Sequence, residues 1–335
     1  MSQQITRDRG RGRHRGTWPV PFLGDVFAGR YRLTGPLGDG DGARHLFRAR
    51  DDILARDVAV AVFPVDRTRR RRLSGARTLA ALDHPSLVTL YDAQVIGDGN
   101  AYVIMEFITG PSLASRIENA GSIPPGTAAG VVEDLAGALA MIHRVGIVHG
   151  RVSSSNVLLR PRRDIDGSFA PVLTDFDITH LGGAHPASPA PGRPSSYLTP
   201  EQVRGEPPRA ESDVYALGLL ALEALTGEPP LRGGPIQELV LAPLAYDPDI
   251  PATLGHGWRT LLTAMTDPDP ASRPSAAEVE SLAGELRENG GVARAERASA
   301  ASVSEPVPAL RAVDLLRTTS SPRRPAIWQW VTHYR

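Results

Sequence analysis

The sequence predicts an α+β fold, with a small β-rich N-terminal part followed by a larger, mostly helical one. Three observations predict it. Between Arg30 and Phe107, short alternating or β-branched apolar runs recur between Gly/Asp turns, which is the pattern of strands. From Ser112 onward, apolar residues fall at helical spacing instead. The 335 residues, 41% of them hydrophobic, suffice for a large core and suggest two compact units.

Each element follows in order. Residues 1–28 are polar and then Pro/Gly-rich, with RDRGRGRHRG near the front. They read as a disordered arm, either a solubilising tail or a contact for nucleic acid or an acidic partner. YRLTGPLGDGDGARHLFRARD holds two strands around a Gly/Asp turn, and DVAVAVF is a third. Leu73, Ala76, Leu79, Ala80 and Leu82 predict one helix over roughly Arg67 to Leu82. DHPSLVTLYDA and NAYVIMEF read as two more strands.

Beyond Ser112, TAAGVVEDLAGALAMIHRVG carries a long apolar stripe. IVHGRVSSSNVLL reads strand–turn–strand, and PVLTDFDITH reads as a further short strand. Residues 182–196, GGAHPASPAPGRPSS, predict a long exposed loop. SDVYALGLLALEALTG is nearly all apolar, so it predicts a central helix, and ASRPSAAEVESLAGELREN predicts a late amphipathic one. After Asn289 the composition shifts to Ala/Ser/Arg/Pro, which marks a flexible tail over 289–335. Its end, IWQWVTHYR, is either an adhesive terminus or a docking peptide.

Composition excludes several classes. The formal charge is zero, so no global field favours nucleic acid or membrane. No run approaches the roughly 18 apolar residues of a membrane span, and the Arg-rich start lacks a signal-type apolar stretch. A cytoplasmic protein is the expectation. Without cysteine there is no disulfide or thiolate metal site. All 37 cationic side chains are arginine, which removes any chemistry that needs a compact ammonium on a flexible stem.

The order of motifs resembles the protein kinase family, specifically bacterial Hanks-type Ser/Thr kinases, over about residues 30–288. The motifs are a Gly-rich turn at Gly38–Gly42, DVAVAV, LDHPSLVTLYD, VIMEF, IVHGRVSSSNVLL, LTDFD, YLTPEQ, SDVYALG and DPASRPS. The resemblance implies a bilobal fold, with an N-lobe at 29–107 and a C-lobe at 108–288. It also implies ATP and Mg²⁺ as ligands. Many members carry a membrane span and an external sensor; this chain shows neither, so by resemblance it does not sense outside the cell by itself.

Aligned on those motifs, the chemistry departs from the pattern. The phosphate-gripping lysine aligns with Ala61 and its helix glutamate with Gly75. In the catalytic loop, His149 and Asn156 remain, but Gly150 stands for the arginine, Arg151 for the aspartate and Ser153 for the lysine. A guanidinium never titrates in proteins, so it cannot take a proton from a hydroxyl. The Gly-rich turn loses its third glycine and gains Asp39 and Asp41, Asp177 replaces the Asp-Phe-Gly glycine, and Pro194 aligns with a threonine set against the base.

What the resemblance preserves is architecture. It implies apolar adenine walls at Leu37, Leu46, Ala59 and Leu158, and turn glycines at Gly38 and Gly40. It further implies a hinge at Glu106–Ile108 after Met105, and metal ligands Asn156 and Asp175. Phe176, His149 and Leu79 match the stack joining the lobes, Glu201 and Arg273 an ion pair, and Asp213 an anchor of the central helix. The expectation is a catalytically impaired kinase-like scaffold with weak ATP binding. The alternative is a low-activity Ser/Thr kinase in which Arg44 or Arg48 enters the lysine's space and Asp177 adds a metal ligand. Expected partners are signalling proteins. One is an active Ser/Thr kinase acting on Ser188, Ser195, Ser196 or Thr318–Ser321; another is a phosphorylated protein received by Arg67–Arg72, unless that run is only a solvated face.

Overall fold

The computed structural model describes residues 23–37, 45–64, 78–96, 100–162, 168–176, 195–230 and 236–302. The chain divides into two units, residues 1–293 and 294–335, and of the second only helix through Ser302 is described.

Six antiparallel strands form the N-terminal sheet. They are β1 (Val26–Phe27), β2 (Tyr31–Pro36), β3 (His45–Asp51), β4 (Arg56–Pro64), β5 (Leu90–Ile96) and β6 (Asn100–Glu106), in the order β1-β2-β3-β4-β6-β5. The alternation in β4 decides its two faces. Val58, Val60 and Val62 join Phe27, Tyr31, Leu33, Phe47, Tyr102 and Ile104 in one apolar cluster. Ala59, Ala61 and Phe63 face the other way, into the cluster that continues through the helical lobe. Of the predicted helix over Arg67–Leu82 only residues 78–82 are described; 78–80 are helical, with Leu79 buried, and the helix ends before Ala81.

The helical lobe holds α1 (Leu113–Ala120), α2 (Pro125–Arg144), the hairpin β7 (Val157–Pro161) and β8 (Phe169–Leu173), α3 (Pro200–Val203), α4 (Ala210–Thr226), α5 (Ile236–Ala245), α6 (His256–Met265) and α7 (Ala276–Ser302). Ser112 caps α1 by accepting from Ser115 N–H at 3.1 Å. Helix α2 starts with Pro125 and ends with Arg144, whose charge suits the C-terminal end of the helix dipole. Helix α4 is buried almost throughout, as its nearly all-apolar sequence requires. Helices α1, α5 and α6 are not singled out by the sequence pattern.

Three expectations are corrected. Residues 147–153 form no strand; only Val157–Pro161 does, after a 3-10 turn at Ser154–Asn156. The amides of His149 and Gly150 go to a side chain, Asp213, so they cannot build a ladder. The strand read from Asp83 begins only at Leu90. Pro85 has no N–H to give, and the next residues bond to the other lobe: Leu173 N–H to Ser86 O at 2.9 Å and Val88 N–H to Leu173 O at 3.0 Å. Helix α7 runs on to Ser302, past the composition shift at Asn289.

Candidate functional site

The cleft between sheet and helices gathers the apolar residues expected around adenine. Register places Leu46 opposite Ala61, Arg48 opposite Ala59 and Ala59 opposite Met105. Ala59, Met105 and Ile108 are buried in one cluster, with Leu46 and Leu158 packed against it. Leu37 is on the exposed side, and its N–H donates to Leu46 O at 2.9 Å. Gly38 and Gly40 lie outside the described residues, as do Asp39, Asp41, Arg44, Gly75, Asp177, Pro194 and Arg67–Arg72.

Behind the hinge, Glu106 accepts from Arg160 Nη2 at 2.9 and 2.8 Å, and Arg160 Nη1 donates to Pro85 O at 3.1 Å. Arg160 thus ties the hinge to β7 and to the turn before β5. The sequence reading missed it, because nothing in VLLRP marks the arginine as a clamp.

Ala61 is wholly buried between Leu46 and Val103 on the neighbouring strands. Arg48 does not enter that space. Its guanidinium bonds Asp57 at 2.5 Å and lies 4.8 Å from the centre of the Phe107 ring.

The catalytic-loop positions are held firmly. Asp213 accepts from Gly150 N–H and His149 N–H, both at 2.8 Å, and contacts His143 Nε2 at 2.9 Å. Gly150 has φ 73, a left-handed conformation that glycine adopts without steric cost. His149 Nδ1 accepts from Arg151 N–H at 3.2 Å, so its other nitrogen carries the proton and donates to Thr174 O at 3.0 Å. The His149 and Phe176 rings stand 4.5 Å apart, and Leu79 is buried in the same cluster as Phe176.

Arg151, at the expected base position, meets the expected metal ligand. Its Nε lies 3.4 Å from Asp175 Oδ2, with 11% of the arginine and 24% of the aspartate side chain exposed. Asn156 Nδ2 donates to Arg151 O at 2.7 Å. Asp175 sits at φ 65, a region non-glycine residues seldom occupy and in which aspartate is among the best tolerated. Ser153 is buried and its Oγ is 3.0 Å from Ser155 Oγ.

The guanidinium makes this position less favourable for a divalent ion than an open carboxylate would be. Mg²⁺ binds carboxylate oxygen at about 2.1 Å, so an ion on Asp175 Oδ2 would stand no more than about 5.5 Å from Arg151 Nε. At an effective dielectric of about 20, a double and a single positive charge so placed repel by roughly 6 kcal/mol. Among the described residues, no cluster of three His, Asp or Glu side chains offers another metal site.

The segment ending the cleft is pinned as the sequence suggests. Glu201 accepts from Arg273 Nη1 and Nη2 at 2.9 and 3.0 Å, and from Ser212 Oγ at 2.5 Å. Burial pushes the Glu201 carboxyl up, but Arg273 and Ser212 outweigh it and hold it below its ordinary value. Tyr197 donates to Glu223 and accepts from Ser154 N–H at 3.3 Å, which fastens the loop to α4. The motif YLTPEQ flags Tyr197, whereas Glu223 has no signal in the sequence. A cavity of about 500 Å³ lies elsewhere, among α2, α4 and α7, with His84, His143, Glu211 and Glu280 on its walls. Its His143 is the residue that contacts Asp213.

A model of the protein kinase domain matches residues 31–282. The serine/threonine-protein kinase PrkC of Bacillus subtilis is 30% identical over 279 residues, covering 77% of this chain and 40% of PrkC. The serine/threonine-protein kinase PknB of Mycobacterium leprae is 34% identical over 256 residues, covering 73% and 39%. A probable serine/threonine-protein kinase of Corynebacterium efficiens is 32% identical over 301 residues, covering 84% and 44%. The chain spans about two fifths of the length of the curated relatives it matches. Among the described residues, no helix is long and apolar enough to cross a membrane. With the match running from the second strand of the N-terminal sheet into the last helix, and the curled sheet and helical lobe in place, the chain belongs to the protein kinase family, among its bacterial Hanks-type members.

Proposed function

We propose that the chain is a catalytically impaired kinase-fold module, spanning residues 29–288, that binds a nucleotide weakly and acts in the cytoplasm by presenting surfaces to signalling proteins. Family membership carries the general expectation of ATP and Mg²⁺ as ligands. The observation that carries the reading is the Arg151–Asp175 ion pair, since it puts a permanent cation where a proton acceptor is required. The buried methyl of Ala61 adds to it, since among the described residues no cation stands there for the inner phosphates. Loss of a general base alone costs about 10²–10⁴ in rate. Phosphoryl transfer relies on positioning and charge neutralisation together, so an ordinary turnover of about 1–100 per second is not expected. The apolar walls at Leu46, Ala59 and Leu158 support purine binding.

A second reading, a working Ser/Thr protein kinase, is favoured by the 30–34% identity to proteins named as such and by the intact Glu201–Arg273 and His149–Phe176 framework. Transfer of label from [γ-³²P]ATP, with Mg²⁺ and with Mn²⁺, separates the two. The expected result is no incorporation above that of Asp175→Ala. Incorporation that disappears in Asp175→Ala establishes the second reading. As partners we propose an active Ser/Thr kinase that modifies Ser188, Ser195 or Ser196, and a phosphorylated or acidic protein received by Arg67–Arg72. Clustered guanidiniums bind phosphate through paired hydrogen bonds.

A further inference from the structure

We propose that Arg151 is the cleft's built-in cation, so that this chain binds a nucleoside triphosphate without a divalent metal ion. The inference rests on the nucleotide binding proposed above and states its ionic form.

The geometry carries it in two ways. The guanidinium of Arg151 is within ion-pair distance of Asp175, 3.4 Å from Nε to Oδ2. The backbone at both ends of that pair is anchored. The Arg151 backbone is held through its carbonyl by Asn156 and through its N–H by His149, while Asp175 sits in a left-handed conformation directly after Thr174, whose carbonyl accepts from the same histidine.

The charge balance then decides what can enter. A bare carboxylate beside a triphosphate repels it, and a metal ion resolves that repulsion by sitting between them. Here the carboxylate is already met by a positive charge that no accessible pH removes. A guanidinium presents fixed donors suited to phosphate oxygens, so it can neutralise Asp175 and meet the anion together. An added Mg²⁺ meets a like charge at that position and gains less from Asp175 than from a bare carboxylate. In solution, however, it still sequesters the triphosphate. The tightening by metal that an open carboxylate gives is therefore absent or reversed here.

Calorimetric titration of the full chain with ATP, once in EDTA and once in excess MgCl₂, tests this. The expected result is an apparent Kd in MgCl₂ equal to or weaker than that in EDTA. Tightening by Mg²⁺ of more than about threefold overturns the proposal while leaving nucleotide binding standing. In Arg151→Asp, binding in EDTA should weaken at least about tenfold and MgCl₂ should restore most of the loss. Unchanged EDTA binding by that variant also overturns the proposal. Circular dichroism checks that Arg151→Asp folds; if it does not, Arg151→Gln, similar in reach and uncharged, should show the same loss in EDTA. No heat and no rise in melting temperature with ATP under either condition ends both this inference and the nucleotide-binding part of the reading beneath it. The label-transfer assay decides impairment separately.

Discussion

At Gly110 the chain just after the hinge passes so close to β7 that an added β-carbon would lie 1.6 Å from the Leu159 carbonyl oxygen. The neighbouring Leu159 N–H bonds Pro111 O at 2.8 Å, so the two backbones cannot part without losing that contact. Gly110→Ala should therefore cost about 3 kcal/mol of stability, read from the midpoint of urea unfolding; a change below about 1 kcal/mol would show that the segment yields freely. Residues of this kind set the limit of what a sequence discloses. Ala61 and Arg151 were legible as departures because their neighbours DVAVAV and IVHGRVSSSNVLL fix the alignment. That Arg151 would reach Asp175, and that Arg48 would turn to Asp57 and Phe107, depends on side-chain directions that no motif encodes.

Helices α3 and α4 are joined to the turn before α7 by one buried pair. Arg273 reaches Glu201 with two nitrogens and also donates to the carbonyls of Asp267 and Glu211. Both side chains are almost fully buried, so removing one leaves an uncompensated charge. Arg273→Ala should cost about 3–5 kcal/mol, checked by chemical denaturation at neutral pH. The pH dependence has a definite sign. Glu201 is held below its ordinary value of 4.5, so its contribution is complete above that pH and is lost as pH falls through the depressed folded-state value. In Arg273→Ala burial acts with far less opposition, and this part of the acid limb should flatten or reverse. At this scale the sequence was informative where an element obeys its own periodicity, as α2 and α4 do. It misled where backbone groups are claimed from afar, as Asp213 claims the amides at 149 and 150 and β8 claims residues 86–88.

Across residues 1–293, the fold class was legible from the change of period near residue 110, and the order of motifs supplied the rest. The relation between the lobes was less so, because it is built by contacts distant in sequence. A single apolar cluster runs from Ala59 and Phe63 through Leu79, Leu90 and Phe176 to Tyr215 and Leu262. The cavity beside His84 and His143 had no signature at all.

Strand β4 lies between β3 and β6 and faces a separate apolar cluster on each side. Its amide protons can meet solvent only when both clusters give way, so their exchange with deuterium should report the opening of the whole domain rather than local fraying. Mass-spectrometric exchange should find peptides covering Val58–Phe63 among the slowest, with the edge strand Val26–Phe27 faster by orders of magnitude. Equal rates would mean that the N-terminal sheet opens independently of the helices beneath it.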